Sequence, residues 1–111
     1  MRDRARNALI KIGVLPNLEG YHYLLEAVTS TTETVLQNKI PSYTKLNEQI
    51  AEKYGTTPSA VERAMRYTVS RVKQCNGEPF QKLFKPYKKN RLTTSLFISM
   101  MTEYILSRTE E

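Results

Sequence analysis

The chain has 111 residues, 40% of them hydrophobic, which allows one modest core and is too short for two domains of ordinary size. Its 17 Lys and Arg against 11 acidic residues give a net charge of +6, which points to an anionic partner, nucleic acid first, although many small basic proteins bind no polyanion. A single cysteine and a single histidine exclude an internal disulfide and a Cys/His zinc cluster, and no segment approaches the ~20 apolar residues of a membrane span. With no signal-peptide pattern at its amino terminus, the chain reads as soluble and cytoplasmic, with Cys75 a semi-buried thiol near a helix end.

The first helix is expected over Arg4 to Ile12, where Ala5, Ala8, Leu9 and Ile12 recur at helical spacing and Gly13 supplies a stop. Val14 to Asn17, with Pro16, is a connector. Leu18, Tyr21, Leu24, Leu25, Val28 and Val35 then mark one face of a longer helix ending near Gln37, although the Thr-rich run from Thr29 to Thr34 weakens its far end. His22, between Tyr21 and Tyr23, has no catalytic partner in sight and reads as a packing or surface residue.

Pro41 interrupts, and Tyr43, Leu46, Ile50 and Tyr54 form the next stripe, closed by Gly55. Immediately afterwards Thr57 is suited to cap a helix and Pro58 to occupy its first position, so a further helix starts there. Its Val61, Ala64, Met65, Thr68, Val69 and Val72 share one side. Asn76, Gly77 and Pro79 end it, a short helical piece covers Phe80 to Phe84, and Lys85 to Arg91 is a basic loop. Leu96, Phe97, Met100, Met101, Tyr104 and Ile105 describe a last amphipathic helix beginning near Thr94. The fold class expected is all-α, about six helices in one domain over residues 1–111.

Two helices joined by a tight glycine-containing turn, the second with basic residues on its outward side, match a helix-turn-helix, although spacing alone leaves an ordinary helical pair equally open. The B-form major groove is about 12 Å wide and admits one helix, whose first turns reach base edges. Ser59, Glu62, Arg63, Arg66 and Tyr67 are the base-contact candidates: Arg donates twice to guanine, and Glu accepts from the amino group of cytosine. Lys45, Lys53, Thr56 and Thr57 lie where the first helix and the turn cross the phosphate backbone, and Lys88 and Lys89 are further phosphate candidates in the basic loop. No paired acid and base, metal cluster or phosphate-cradling glycine loop is visible, so the chain reads as non-enzymatic, with no cofactor and no metal.

The segments IGVLPNLEGYHYLLEAV (Ile12 to Val28), IAEKYGTTPSAVERAMRY (Ile50 to Tyr67) and LTTSLFISMM (Leu92 to Met101) resemble the DNA-binding effector domain of the stage-zero sporulation master regulator of endospore-forming bacteria. The resemblance runs from about Ala8 to Ile105. It implies a six-helix domain with a helix-turn-helix that binds short double-stranded DNA boxes and activates or represses transcription. It also matches Ser59, Glu62, Arg63 and Arg66 to recognition-helix positions, and implies a last helix that contributes to contacts between neighbouring DNA-bound copies, hence a homodimer on DNA. The sigma subunit of RNA polymerase is a further partner the resemblance implies.

Three departures stand out. Ala60 occupies the place where the family usually has an arginine, Tyr67 one where histidine is frequent, and the stretch from Gly77 to Thr93, beside surfaces the family uses toward RNA polymerase, is shorter. The family's phosphoreceiver domain is not in this chain, which reads either as a fragment or as a stand-alone relative. Ala60 favours a rival reading in which the chain is a non-activating interaction protein that modulates a full-length regulator or RNA polymerase.

Overall fold

In the computed structural model, which describes residues 1–84 and 92–109, the described residues form six α-helices and no strand. They are α1 (Arg2–Ile12), α2 (Tyr21–Leu36), α3 (Tyr43–Tyr54), α4 (Pro58–Cys75), α5 (Glu78–Phe84) and α6 (Thr94–Thr109). Most of the expected boundaries lie within a residue or two of these, because local chemistry sets them. Gly13, at φ 116°, ends α1 and donates to the carbonyls of Leu9 and Ile10, while the Val14 N–H reaches back to Leu9 and its side chain is fully buried.

α2 begins at Tyr21, so Leu18 lies in the preceding turn and not on the helix. Its Thr-rich half is helical to Leu36, and there the hydroxyls of Thr32 and Thr34 donate to the carbonyls of Val28 and Ser30, four residues back, at 2.7 and 2.8 Å. Thr29, Thr31 and Thr32 are buried, whereas Val35 is only partly so.

Gly20 fixes how α2 meets α4. Its N–H donates to the buried Thr68 hydroxyl at 2.7 Å, and a Cβ at this position would stand 2.5 Å from the Ala64 carbonyl oxygen. Its φ of −87° is open to any residue, so it is the close approach of two backbones, not the turn, that demands glycine.

α6 departs from the amphipathic expectation. Ile98 and Thr102 are buried alongside Phe97, Met101 and Ile105, and Leu96, Met100 and Tyr104 are partly covered, so little of its circumference is polar. A helix apolar nearly all round belongs inside, and α6 packs most extensively on α2. Phe84 of α5 stacks on Phe97 at 5.4 Å and closes that end of the core.

Candidate DNA-binding surface

α3 and α4 form a helix-turn-helix whose turn is three residues, Gly55 to Thr57. The Ser42 hydroxyl caps α3 by accepting from the Lys45 N–H. Gly55 ends it in the left-handed region, φ 65° and ψ 38°, and the Thr56 N–H returns to the Ala51 carbonyl at 2.9 Å. Thr57 then accepts from the Ala60 N–H at 3.1 Å, with Pro58 in the first helical position. Leu46, Ile50 and Ala51 of α3 are buried in one core with Val61, Met65 and Val69 of α4, so the pair is held by apolar packing and its opposite side is left to solvent.

On that solvent side stand Ser59, Arg63, Arg66 and Tyr67, all exposed, with Tyr67 showing 52% of its surface; Glu62 is half-buried at the edge. The Arg63 guanidinium has no hydrogen-bond or ion-pair partner among the described residues. Arg66 is engaged: one of its terminal nitrogens lies 3.2 Å from both carboxylate oxygens of Glu62, one helical turn back. Ala60 is half-buried in the first turn and offers no side-chain hydrogen bond.

The phosphate candidates divide. The Lys45 side chain is exposed beside the N-terminus of α3. Thr56 is half-buried, and the Thr57 hydroxyl, already an acceptor in the cap, keeps its own proton to donate. Lys53 is tied back: its ammonium donates to Glu26 Oε1 at 2.6 Å, and the same oxygen accepts from Arg2 at 2.7 Å. Burial pushes the Glu26 carboxyl up, and the hydrogen bonds from Lys53 and Arg2 outweigh this and hold it below the ordinary carboxylate range. Donating to Glu26 in turn raises Arg2. Lys88 and Lys89, with the rest of the Lys85 to Arg91 loop, lie outside the described residues.

The model for the C-terminal domain of the sporulation initiation factor Spo0A matches residues 5–105. The chain belongs to that family. Spo0A C-terminal domains are DNA-binding and transcription-regulating, not an enzyme family, and the all-helical fold with its helix-turn-helix agrees with that membership. Among the described residues no helix is long and apolar enough to cross a membrane.

Against the Spo0A-type surface, two features went unread in the sequence. Arg71 is exposed one turn beyond Tyr67 on the same ridge, and the four-residue step from Arg63 to Tyr67 to Arg71 was the available signal. A groove of about 430 Å³ flanks α4, bringing Asn47 of α3 and Thr94 and Ser95 of α6 beside Glu62, Arg66 and Lys73. Cys75, expected to be semi-buried, is exposed, because it ends the ridge that runs Ser59, Arg63, Tyr67, Arg71. His22 is exposed with its ring edge-on to Tyr21 at 5.0 Å.

Proposed function

We propose that this Spo0A-family chain is a sequence-specific regulator that inserts α4 into the major groove of duplex DNA, with Arg63 as its principal base reader. The observation that carries the reading is the unpartnered, exposed Arg63 guanidinium, one turn into a helix fixed by its cap, its proline and its packing. Arg66 and Glu62 read beside it. Their mutual ion pair is an exposed pair one turn apart, worth roughly 0.3–0.5 kcal/mol, and a good base contact contributes about 1–3 kcal/mol, so DNA outcompetes it. Ser59 and Tyr67 flank them. Lys45, Thr56 and Thr57 face the phosphates, and Lys53 joins them when it leaves Glu26.

Residues 1–111 act in this reading as one effector domain, two copies of which occupy paired half-sites, with the sigma subunit of RNA polymerase as a protein partner. Binding of the chain to a duplex carrying a family-type box and to a scrambled duplex, over a salt series, tests it. Specific affinity exceeds non-specific by at least about 10³-fold at physiological salt if α4 reads bases. Equal, weak affinity for both overturns the proposal. Ala60 supports the second reading, an interaction protein that modulates a full-length regulator or the polymerase, and that equal-affinity outcome is the one this second reading expects.

A further inference from the structure

Every other described tyrosine is engaged within the fold. Tyr21, Tyr23 and Tyr54 make edge-on ring contacts, the Tyr43 hydroxyl lies 2.6 Å from Ser99 Oγ, and Tyr104 has two cations over its ring. Tyr67, on the outward side of α4, has no ring contact, no cation over its ring and no hydrogen bond among the described residues, and 52% of its surface is exposed. It stands about 6 Å along α4 from Arg63 and is turned about 40° from it. Helical side chains lean toward the N-terminus, so its ring reaches back beside Arg63. On that flank Ala64 is buried and Ala60 half-buried, and neither is long enough to cover the ring or offers a side-chain hydrogen bond.

We propose, on the reading that α4 enters the major groove, that the Tyr67 ring covers the 5-methyl group of a thymine and so specifies that base. Base pairs rise about 3.4 Å per step, which sets this thymine about one or two steps from the pair that Arg63 contacts. Thymine alone carries a methyl group on its major-groove edge, whereas adenine, guanine and cytosine present nitrogen and oxygen atoms that need hydrogen bonds. A ring face pressed on those atoms strips their water and returns no partner. On a methyl group it removes apolar surface from water at no such cost. Arg63, Arg66 and Glu62 all read through hydrogen bonds, so Tyr67 adds a contact of a different kind, on a flank where Ala60 supplies none.

Duplexes that the chain itself enriches from a random pool supply the probe. Each thymine of the enriched box is replaced singly by deoxyuridine, which removes only the methyl group and keeps the pairing, and affinity is read by fluorescence anisotropy. One thymine, within about two steps of the position where Arg63→Ala loses base discrimination, is expected to lose roughly fourfold in affinity, the worth of one buried methyl group. Tyr67→Phe, which keeps the ring, is expected to retain that difference, and Tyr67→Ala to abolish it. Because the deoxyuridine series leaves the protein intact, it decides the matter whatever the variants do to folding. Indifference to every thymine methyl, or a box with no thymine there, overturns the proposal but leaves the reading of α4, which the enriched box supports, in place. A methyl effect that survives in Tyr67→Ala assigns the contact to another side chain and overturns it. So does a loss in Tyr67→Phe that is equal on box and scrambled duplex without any methyl effect, the mark of a hydroxyl on a phosphate. Enrichment of no box at all overturns the reading of α4 and the proposal together.

Discussion

Gly20→Ala separates a loop glycine from a packing glycine. By backbone reasoning the substitution is favourable: φ is −87°, which alanine adopts freely, and fewer unfolded conformations are then lost, a gain of about 0.4–1 kcal/mol. Packing reverses the sign. The new methyl meets the Ala64 carbonyl oxygen and Thr68 Oγ1 at 2.5 Å and the Ala64 carbonyl carbon at 2.9 Å. The first and last of these are helix backbone and do not yield by rotamer change. Overpacking of this kind costs about 1–3 kcal/mol, and parting the 2.7 Å bond from the Gly20 N–H to Thr68 adds roughly 1 kcal/mol. A net loss of about 1–3.5 kcal/mol lowers Tm by roughly 5–15 °C, read by circular dichroism on heating. Removal of the Thr68 hydroxyl in a Gly20→Ala/Thr68→Ala chain leaves the backbone clash, so no rescue is expected. Unchanged or raised stability of Gly20→Ala, or full rescue by the second change, refutes the close-approach argument.

Gly55→Ala is the contrasting case: nothing lies within 4 Å of the added methyl, but φ of 65° is strained for alanine, and a loss of about 1–2 kcal/mol in urea unfolding is expected. Arg63→Ala is expected to cost about 1–3 kcal/mol on a specific box and little on a scrambled duplex in fluorescence anisotropy; an equal loss on both demotes Arg63 to a phosphate contact. Glu26 has its folded-state proton affinity lowered, so its contribution is present above the ordinary carboxylate value of 4.5 and is lost as pH falls through the lower folded value. Stability of the wild-type chain therefore declines on acidification below about pH 4.5, and Glu26→Gln, costing about 1 kcal/mol at neutral pH, is expected to flatten that decline in denaturant titrations at successive pH values.

How much of this was legible in the sequence follows the range of the interaction. Gly13, Gly55 and the Thr57-Pro58 pair mark helix ends through bonds to residues three to five positions away, and each was read correctly. The inner stripe of α4, from Val61 to Val72, is buried as its spacing required. By contrast, the partners of Gly20 and Glu26 lie tens of residues away, and nothing local announces that Gly20 touches α4 or that Lys53 is turned toward α2. The burial of Ile98 and Thr102 did have a local signal, since apolar residues surround α6, but a one-face reading of Leu96 to Ile105 passed over it.

The cost of Ala60 follows from where it stands around α4. At about 100° per residue, the buried residues Val61, Ala64, Met65, Thr68, Val69 and Val72 centre on a direction opposite to a point between Arg63 and Arg66. Those two arginines therefore straddle the axis pointing away from the core, Arg63 about 10° from it and Arg66 about 50°. Ala60 lies about 70° from that axis, beside Tyr67, which explains its half-burial. In the proposed DNA-bound arrangement an arginine there would reach sideways across the groove, so alanine would narrow the readable site on that flank without touching the centre. Glu62 lies about 90° off axis on the other side and holds Arg66 toward itself at 3.2 Å. In the proposed DNA-reading mode, hydrogen-bond readout is accordingly weighted to the Glu62 side of α4: a base that draws Arg66 off Glu62 would leave that carboxylate free to accept from a neighbouring cytosine amino group, coupling two positions of the box.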